Sequence, residues 1–239
     1  KQHLLRAGII LYGVRLTFQD IGHVGMAGVA IDAVVLASTF ALALVLGLRV
    51  FKLDRTTVFL IGAGSSICGA AAIMATEPVV RARAEQVAVA VATVVVFGSL
   101  AIFLYPALYQ FCVQSQGLSI TPQSFGIYTG STVHEVAQVV AAGRSISDDA
   151  ANTAVIAKMV RVMMLAPFLV ILSMGIARGK TAAFSTTRVT VPWFAFAFIG
   201  VVALHSWTRL PRPVLAVAID ADTLLLAMAM TALGLTTGV

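Results

Sequence analysis

An all-α, multi-span membrane bundle with two broken helices is the fold class this sequence predicts, and three observations predict it. First, 59% of the 239 residues are apolar and only 11% are charged, against about 45–50% and about 25% in soluble domains. A water-soluble chain of this size keeps part of its surface in water and could not hide that excess in a core. Mean hydropathy is +0.98. Second, apolar runs of spanning length recur at residues 24–48, 87–113, 150–177, 189–207 and 214–235. A helix rises about 1.5 Å per residue and the hydrocarbon core is about 30 Å thick, so about 20 such residues cross it. Third, two more apolar stretches, 56–78 and 123–143, are interrupted by glycine and hydroxyl residues. A transmembrane β-barrel needs short segments of alternating polarity. Val87-Ala-Val-Ala-Val-Ala-Thr-Val-Val-Val-Phe97 does not alternate in that way.

Along the chain, residues 4–19 are apolar but carry Arg6 and Arg15, two and a half turns apart and so on opposite faces. One would snorkel to the interface and the other would face the bundle. Residues 24–48 are a plain span except for Asp32, which lies near a span end, where capping or a pairing with Arg15 would suit it. A basic loop, Arg49 to Arg55, follows. The stretch 56–78 is long enough to cross, but its middle reads Gly62-Ala-Gly-Ser-Ser-Ile-Cys-Gly69. Glycine weakens a helix by about 1 kcal/mol relative to alanine, which predicts two half-helices with unwound chain between them. Glu77-Pro78 would end the second half, since the residue before proline disfavours helix.

Residues 87–113 are a plain span interrupted near Tyr105-Pro106. Gly117 to Pro122 reads as a turn or helix start. Residues 123–143 form the second unusual element. Within them Gly130-Ser-Thr-Val-His-Glu135 echoes Gly64-Ser-Ser-Ile-Cys-Gly69: a glycine, two hydroxyl residues, an apolar residue, then a distinctive one. Ser147-Asp148-Asp149 suits an N-cap with acid in the first turn. The span at 150–177 contains Lys158 and Arg161, and the polar, basic loop 178–188 and two further spans follow. Residues 1–239 form one transmembrane domain with no separable soluble part.

The net charge of +6 would suggest nucleic acid in a soluble protein. Here the basic residues sit mostly between spans: Arg49, Lys52 and Arg55; Arg81 and Arg83; Arg178, Lys180 and Arg188; Arg209 and Arg212. That is the pattern of membrane flanking and topology setting, and no nucleic acid is implied. If every long element crosses, the 49–55 and 178–188 loops share the cytoplasmic side, but Arg81, Arg83, Arg144, Arg209 and Arg212 oppose them and the bias is slight. Cys68 and Cys112 define neither a disulfide framework nor metal spacing. There is no Walker A sequence, no His-x-x-x-His pair and no Gly-x-Ser-x-Gly elbow. No enzyme activity, cofactor or metal is expected.

The broken elements carry the chemistry. Unwound backbone persists in hydrocarbon only when buried in protein or lining a wet cavity, and secondary transporters build midplane sites from such discontinuous helices. Gly64, Ser65, Ser66 and Cys68 in one element, and Ser131 and Thr132 in the other, are the candidate substrate-binding groups. They would offer hydroxyls and free N–H groups to an anion. The alternative is close packing of small residues between helices. His134 and Glu135, with Gln138 on the same face, are candidate proton carriers, since desolvation raises a carboxyl pKa and histidine titrates near neutrality. A structural pairing of Glu135 with Lys158 or Arg161 is the competing reading. Those two cations, three residues apart, would form the positive wall of an anion site, although near enough to a span end for one to snorkel.

Leu4-Leu-Arg-Ala-Gly-Ile-Ile-Leu-Tyr-Gly-Val-Arg-Leu-Thr17, the two echoing segments, Ala75-Thr-Glu-Pro-Val79 and Lys158-Met-Val-Arg-Val162 together resemble the bacterial YeiH-like inner-membrane family, often labelled sulfate exporters. The resemblance implies a multi-pass protein of the bacterial inner membrane. It also implies membership of the cation–proton antiporter and bile-acid-type transporter superfamily, whose members cross two broken helices at the midplane. Family members are longer at both ends, so the chain is expected to be a fragment lacking N- and C-terminal spans. The implied function is secondary transport of a small anion, sulfate or an organosulfur anion, with protons as coupling ion and lipid as surroundings. A channel or scaffold without a transport cycle is the alternative. The oligomeric state stays open, a homo-oligomer included. One tension remains. Only one plain span separates the broken elements, so if both cross they run parallel, unlike an inverted repeat. Either one is re-entrant, or the repeat partner lies elsewhere, near Gly234-Leu-Thr-Thr237.

Overall fold

The computed structural model describes residues 17–115, 119–178 and 193–208 continuously, with shorter stretches among 7–15 and 211–228. The 178–188 loop beyond Arg178, the start of the 189–207 span, most of the 214–235 span, Gly234 and the side chains of Arg6 and Arg15 lie outside the described residues. The described chain is helical, and three helices are long and apolar enough to cross a bilayer: 26–50, 84–113 and 148–176. These coincide with three of the predicted spans.

Helix α1 (Phe18–Val45) continues through a π turn (Leu46–Val50). Asp54 then caps α2 (Arg55–Ser66), its carboxylate accepting from the Thr57 N–H at 3.0 Å. Hydrogen bonding from the Thr57 side chain, with smaller help from the Thr57 N–H, holds the Asp54 carboxyl below the usual carboxylate range, so the cap stays charged at neutral pH. After the break at Ile67, Cys68 and Gly69 comes α3 (Ala70–Val80). It runs two residues past Pro78 and stops where Arg81 turns left-handed, at φ 55°. Helix α4 (Ala84–Gln110) runs through Pro106. Thr121 caps α5 (Pro122–Thr132), and α6 (Val136–Arg144) follows the second break. Ser147 caps α7 (Asp148–Met163) as its sequence predicts, accepting from the Ala150 N–H at 3.1 Å. Helix α8 (Leu165–Arg178) continues α7 into a single span, and α9 (Trp193–Thr208) packs against it and α1.

Neither broken element crosses the membrane: of the two arrangements left open by the sequence, crossing or re-entry, residues 56–78 adopt re-entry. Gln86, in the first turn of α4, donates to the Asp54 carboxylate at 2.6 Å. The start of α2 and the start of α4 therefore lie at one membrane face, and α3 must return to that face. Ile73 confirms the reversal: a Cβ on Gly64 would sit 2.7 Å from its Cδ1, although nine residues of straight helix would separate the two by about 13 Å. Likewise Gln123, at the start of α5, donates to Asp149, at the start of α7, at 3.1 Å. Gly143, near the end of α6, lies against Ala151. Both elements are helical hairpins that enter and leave by the same face.

They enter from opposite faces. The hairpin α2–α3 packs Leu60 and Ile73 on the first half of α4, against Val87, Ala90 and Val94. The hairpin α5–α6 packs on its second half: Tyr128 stacks on Tyr105 with centroids 5.3 Å apart, and Phe125 meets Tyr109 edge-on at 5.1 Å. Twelve residues of α2 rise about 18 Å, so each tip reaches about the midplane. The units α2–α3–α4 and α5–α6–α7 are thus inverted copies, each a hairpin followed by a crossing helix that starts at the hairpin's base. Re-entry of both elements resolves the parallel-orientation conflict.

Re-entry also sharpens the charge asymmetry. Arg81 and Arg83, at the base of the first hairpin, move to the face that carries Arg49, Lys52 and Arg55. Helix α8 ends at the same face with Arg178, because α1 and α7–α8 run parallel, with Phe40 edge-on to Phe168 at 5.0 Å. At the opposite face α6 ends in Arg144. The positive-inside rule predicts that the Arg-rich face is the cytoplasmic one. Cysteines introduced by Lys52→Cys or Arg83→Cys should react with an impermeant maleimide in inside-out vesicles and stay unlabelled in right-side-out ones. The reverse pattern would invert the assignment.

Candidate functional site

At the midplane, four half-helix ends converge. Helices α2 and α5 arrive with their C-terminal carbonyls, the negative pole, and α3 and α6 leave with their free N–H groups, the positive pole. The sequence distributes buried charge to match. Lys158 is fully buried on α7 and donates to Ile67 O at 2.6 Å and to Val133 O at 2.7 Å. These are equivalent residues of the two hairpins, one position after the end of α2 and of α5. Arg161, 1% exposed, donates through Nε to Ser66 O at 2.6 Å, through Nη2 to Ser65 O at 3.2 Å, and through Nη1 to Ser131 O. Ser65 and Ser131 are again equivalent. Neither cation snorkels; both are fastened to the carbonyls of the two breaks. The echo between Gly64–Gly69 and Gly130–Glu135 is therefore a structural equivalence, read by the same two side chains.

The positive pole is served by one carboxylate. Glu135 is the N-cap of α6: its side chain accepts from the Gln138 N–H, and Gln138 returns its Oε1 to the Glu135 N–H at 3.1 Å, a capping box. Glu135 Oε1 also accepts from the Ala70 N–H, the first of α3, at 3.3 Å. Gly69 occupies the position equivalent to Glu135 in the first hairpin, where no side chain could fit. Its φ is +69°, and a Cβ would lie 2.7 Å from Glu135 Cγ. One acid thus caps two half-helices, and no ion pair joins it to Lys158 or Arg161. Replacing Gly69 by alanine should both strain the backbone, by about 1–2 kcal/mol, and push Glu135 off Ala70. The expected result is a lower thermal midpoint in detergent, which Gly175→Ala, with open space at its Cβ position, should not show.

The other sequence candidates fall around this junction in different ways. Ser66 and Thr132 close the incoming helices and do not stand before the outgoing ones. Their hydroxyls are tied back to Ala63 O at 3.4 Å and Tyr128 O at 2.6 Å, and Thr132 also accepts from the Tyr105 hydroxyl at 2.9 Å. Ser65 contributes its carbonyl. Gly64 is buried beneath Ile73, and Gln138 is buried against Gly98. Cys68 and His134 are equivalent tip residues. Cys68 is buried, and His134 Nδ1 is buried without a hydrogen-bond partner among the described residues. Gly126 and Gly130 do what close packing predicts: a Cβ on either would meet the backbone of α7 at Ala150 or Ala154, which lets α5 lie along α7. Among the described residues no cluster of His, Cys, Asp or Glu could hold a metal.

Sequence reasoning placed Asp32 at a span end. It is fully buried, with no hydrogen bond to either carboxylate oxygen among the described residues. It faces the Ser131 hydroxyl, Arg161 and Lys158. The one charged residue inside the apolar run 24–47 was the available signal, and its depth became visible only once α1 was seen alongside α7.

Fold and junction together define a polytopic α-helical membrane protein in which two oppositely oriented re-entrant hairpins meet at a charged midplane junction. The chain belongs to the YeiH-like family: residues 1–239 match the family model described as Conserved hypothetical protein 698. It is 65% identical to a UPF0324 membrane protein of Pseudomonas aeruginosa over 99% of this chain and 68% of that protein. It is 60% identical to the UPF0324 inner membrane protein YeiH of Escherichia coli strain K12, and 59% to that of Salmonella typhi, each over 100% of this chain and 68% of the relative. It is a protein of the bacterial inner membrane. No solved structure matches it.

Proposed function

We propose that this chain is the carrier core of a secondary active transporter for a small anion, with sulfate or an organosulfur anion as the first candidates and protons as the coupling ion. The observation that carries this reading is the convergence of two helix N-termini on the single carboxylate of Glu135. Two free helix ends at the midplane form an anion position, and in this state the protein's own acid fills it. An incoming anion would take over the N–H groups of Ala70 and Gln138 as Glu135 takes up a proton and lets go. Ser131, Cys68 and His134 would line the space released. Lys158 and Arg161 act here through the breaks, holding the hairpin tips in register and making the junction positive overall once Glu135 is neutral. Opposed hairpins, one open to each face, supply the two gates that alternating access needs.

The test is radiolabelled sulfate counterflow in proteoliposomes containing the full-length parent protein, with and without a pH gradient. Saturable exchange enhanced by the gradient supports the reading. Flux that neither saturates nor exchanges would indicate a channel, and no flux of sulfate or methanesulfonate in folded protein would remove the anion assignment.

A further inference from the structure

The buried junction holds two cations, Lys158 and Arg161, and Glu135 is the one acid assigned to their neighbourhood so far. Asp32 is the second. It is fully buried on α1, and both its oxygens lack a hydrogen-bond partner among the described residues. The groups that face it are Arg161 and Lys158 from α7 and the Ser131 hydroxyl from α5. Ser131 Oγ, 1% exposed, is likewise without a partner. Helices α2 and α9, which also pack on α1, turn no charged group toward Asp32 among the described residues. An ionised carboxylate left without hydrogen bonds in a dry interior is costly. A protonated one can donate to Ser131.

From this geometry we propose that Asp32 is a second proton-binding site, which makes the transported unit one divalent anion with two protons. The proposal rests on the anion-carrier reading above. With Asp32 and Glu135 both ionised, two acids balance two cations and the empty junction is neutral. A divalent anion entering beside one neutralised acid would leave a net negative charge in low dielectric. Neutralising both restores balance. Ser131 connects the two sides, since its carbonyl is held by Arg161 and its hydroxyl faces Asp32.

Two measurements on the full-length protein test this. In a lipid film titrated with acid, the infrared difference spectrum should show a buried carboxylic-acid band that Asp32→Asn removes and Glu135→Gln leaves in place. Ser131→Ala, which keeps the carboxyl, should move its midpoint. In proteoliposomes with the membrane potential clamped at zero, a pH gradient of one unit should accumulate sulfate about 100-fold in the wild type, and about 10-fold in Asp32→Asn, since each co-transported proton contributes about tenfold. A difference spectrum that is the same in Asp32→Asn and in the wild type overturns the proton site. Equal accumulation in wild type and variant overturns the stoichiometry. Absence of sulfate exchange in folded wild type overturns the anion reading and the stoichiometry with it, while the infrared titration still decides whether Asp32 binds a proton.

Discussion

Replacing Lys158 by methionine should cost the protein more stability than any other single change at the junction outside Arg161. Methionine matches the length of the side chain and restores apolar volume, so packing is nearly conserved. What disappears is the shared donor to Ile67 O and Val133 O. Hydrogen bonds to charged groups contribute about 1.5–3 kcal/mol each, and two buried carbonyls lose a donor held at 2.6–2.7 Å. Part of this is offset because an expensive buried cation is also removed. A net loss of about 3 kcal/mol is expected, read as a large drop in the thermal midpoint in detergent, with the two hairpin tips becoming accessible to proteolysis. Arg161→Met should be at least as damaging, because three carbonyls lose their donor. If Lys158→Met instead melts like the wild type, the tips are held by packing alone and the cation has another purpose.

Glu135→Gln should separate folding from function. The glutamine oxygen can still accept from the Ala70 and Gln138 N–H groups, so both caps survive as neutral hydrogen bonds. The lost charge–dipole attraction is worth about 0.3–1 kcal/mol at each helix end, too little to unfold the hairpins. The variant should therefore purify and melt close to the wild type. A glutamine keeps its hold on the Ala70 and Gln138 N–H groups and has no protonation step that releases them to an anion, so pH-driven anion flux should fall to background even with Asp32 in place. Gradient-driven flux that persists in Glu135→Gln would remove the acid from the coupling step, while a variant that fails to fold would make Glu135 a purely structural cap.

Part of this site was legible in the residues. The Gly64–Gly69 and Gly130–Glu135 echo located both breaks, because glycine and hydroxyl residues in an apolar run are a local weakness that composition reveals. The same reasoning read Ser65, Ser66, Ser131 and Thr132 as groups that would offer hydroxyls and free N–H groups to an anion. In the structure each break falls one to two residues later, at Ile67 and Val133, and the serines offer carbonyls to Arg161. Where a helix stops depends on which partner takes its last carbonyls, and that partner is 95 residues away for Ser66.

By itself the sequence determined that this chain lives in a membrane, that it is helical, where three of its long spans lie and which two segments are broken. All of these follow from local hydropathy and local backbone preference. The tertiary structure alone decided that the broken segments re-enter, that they do so from opposite faces, and that Arg81 and Arg83 join the basic side. It also placed Asp32 against Arg161, and Glu135 across from Gly69. Chain reversal at Gly69 and the pairing of half-helix poles with buried charges are long-range electrostatic choices, made between residues distant in sequence, which a reading of local pattern does not contain.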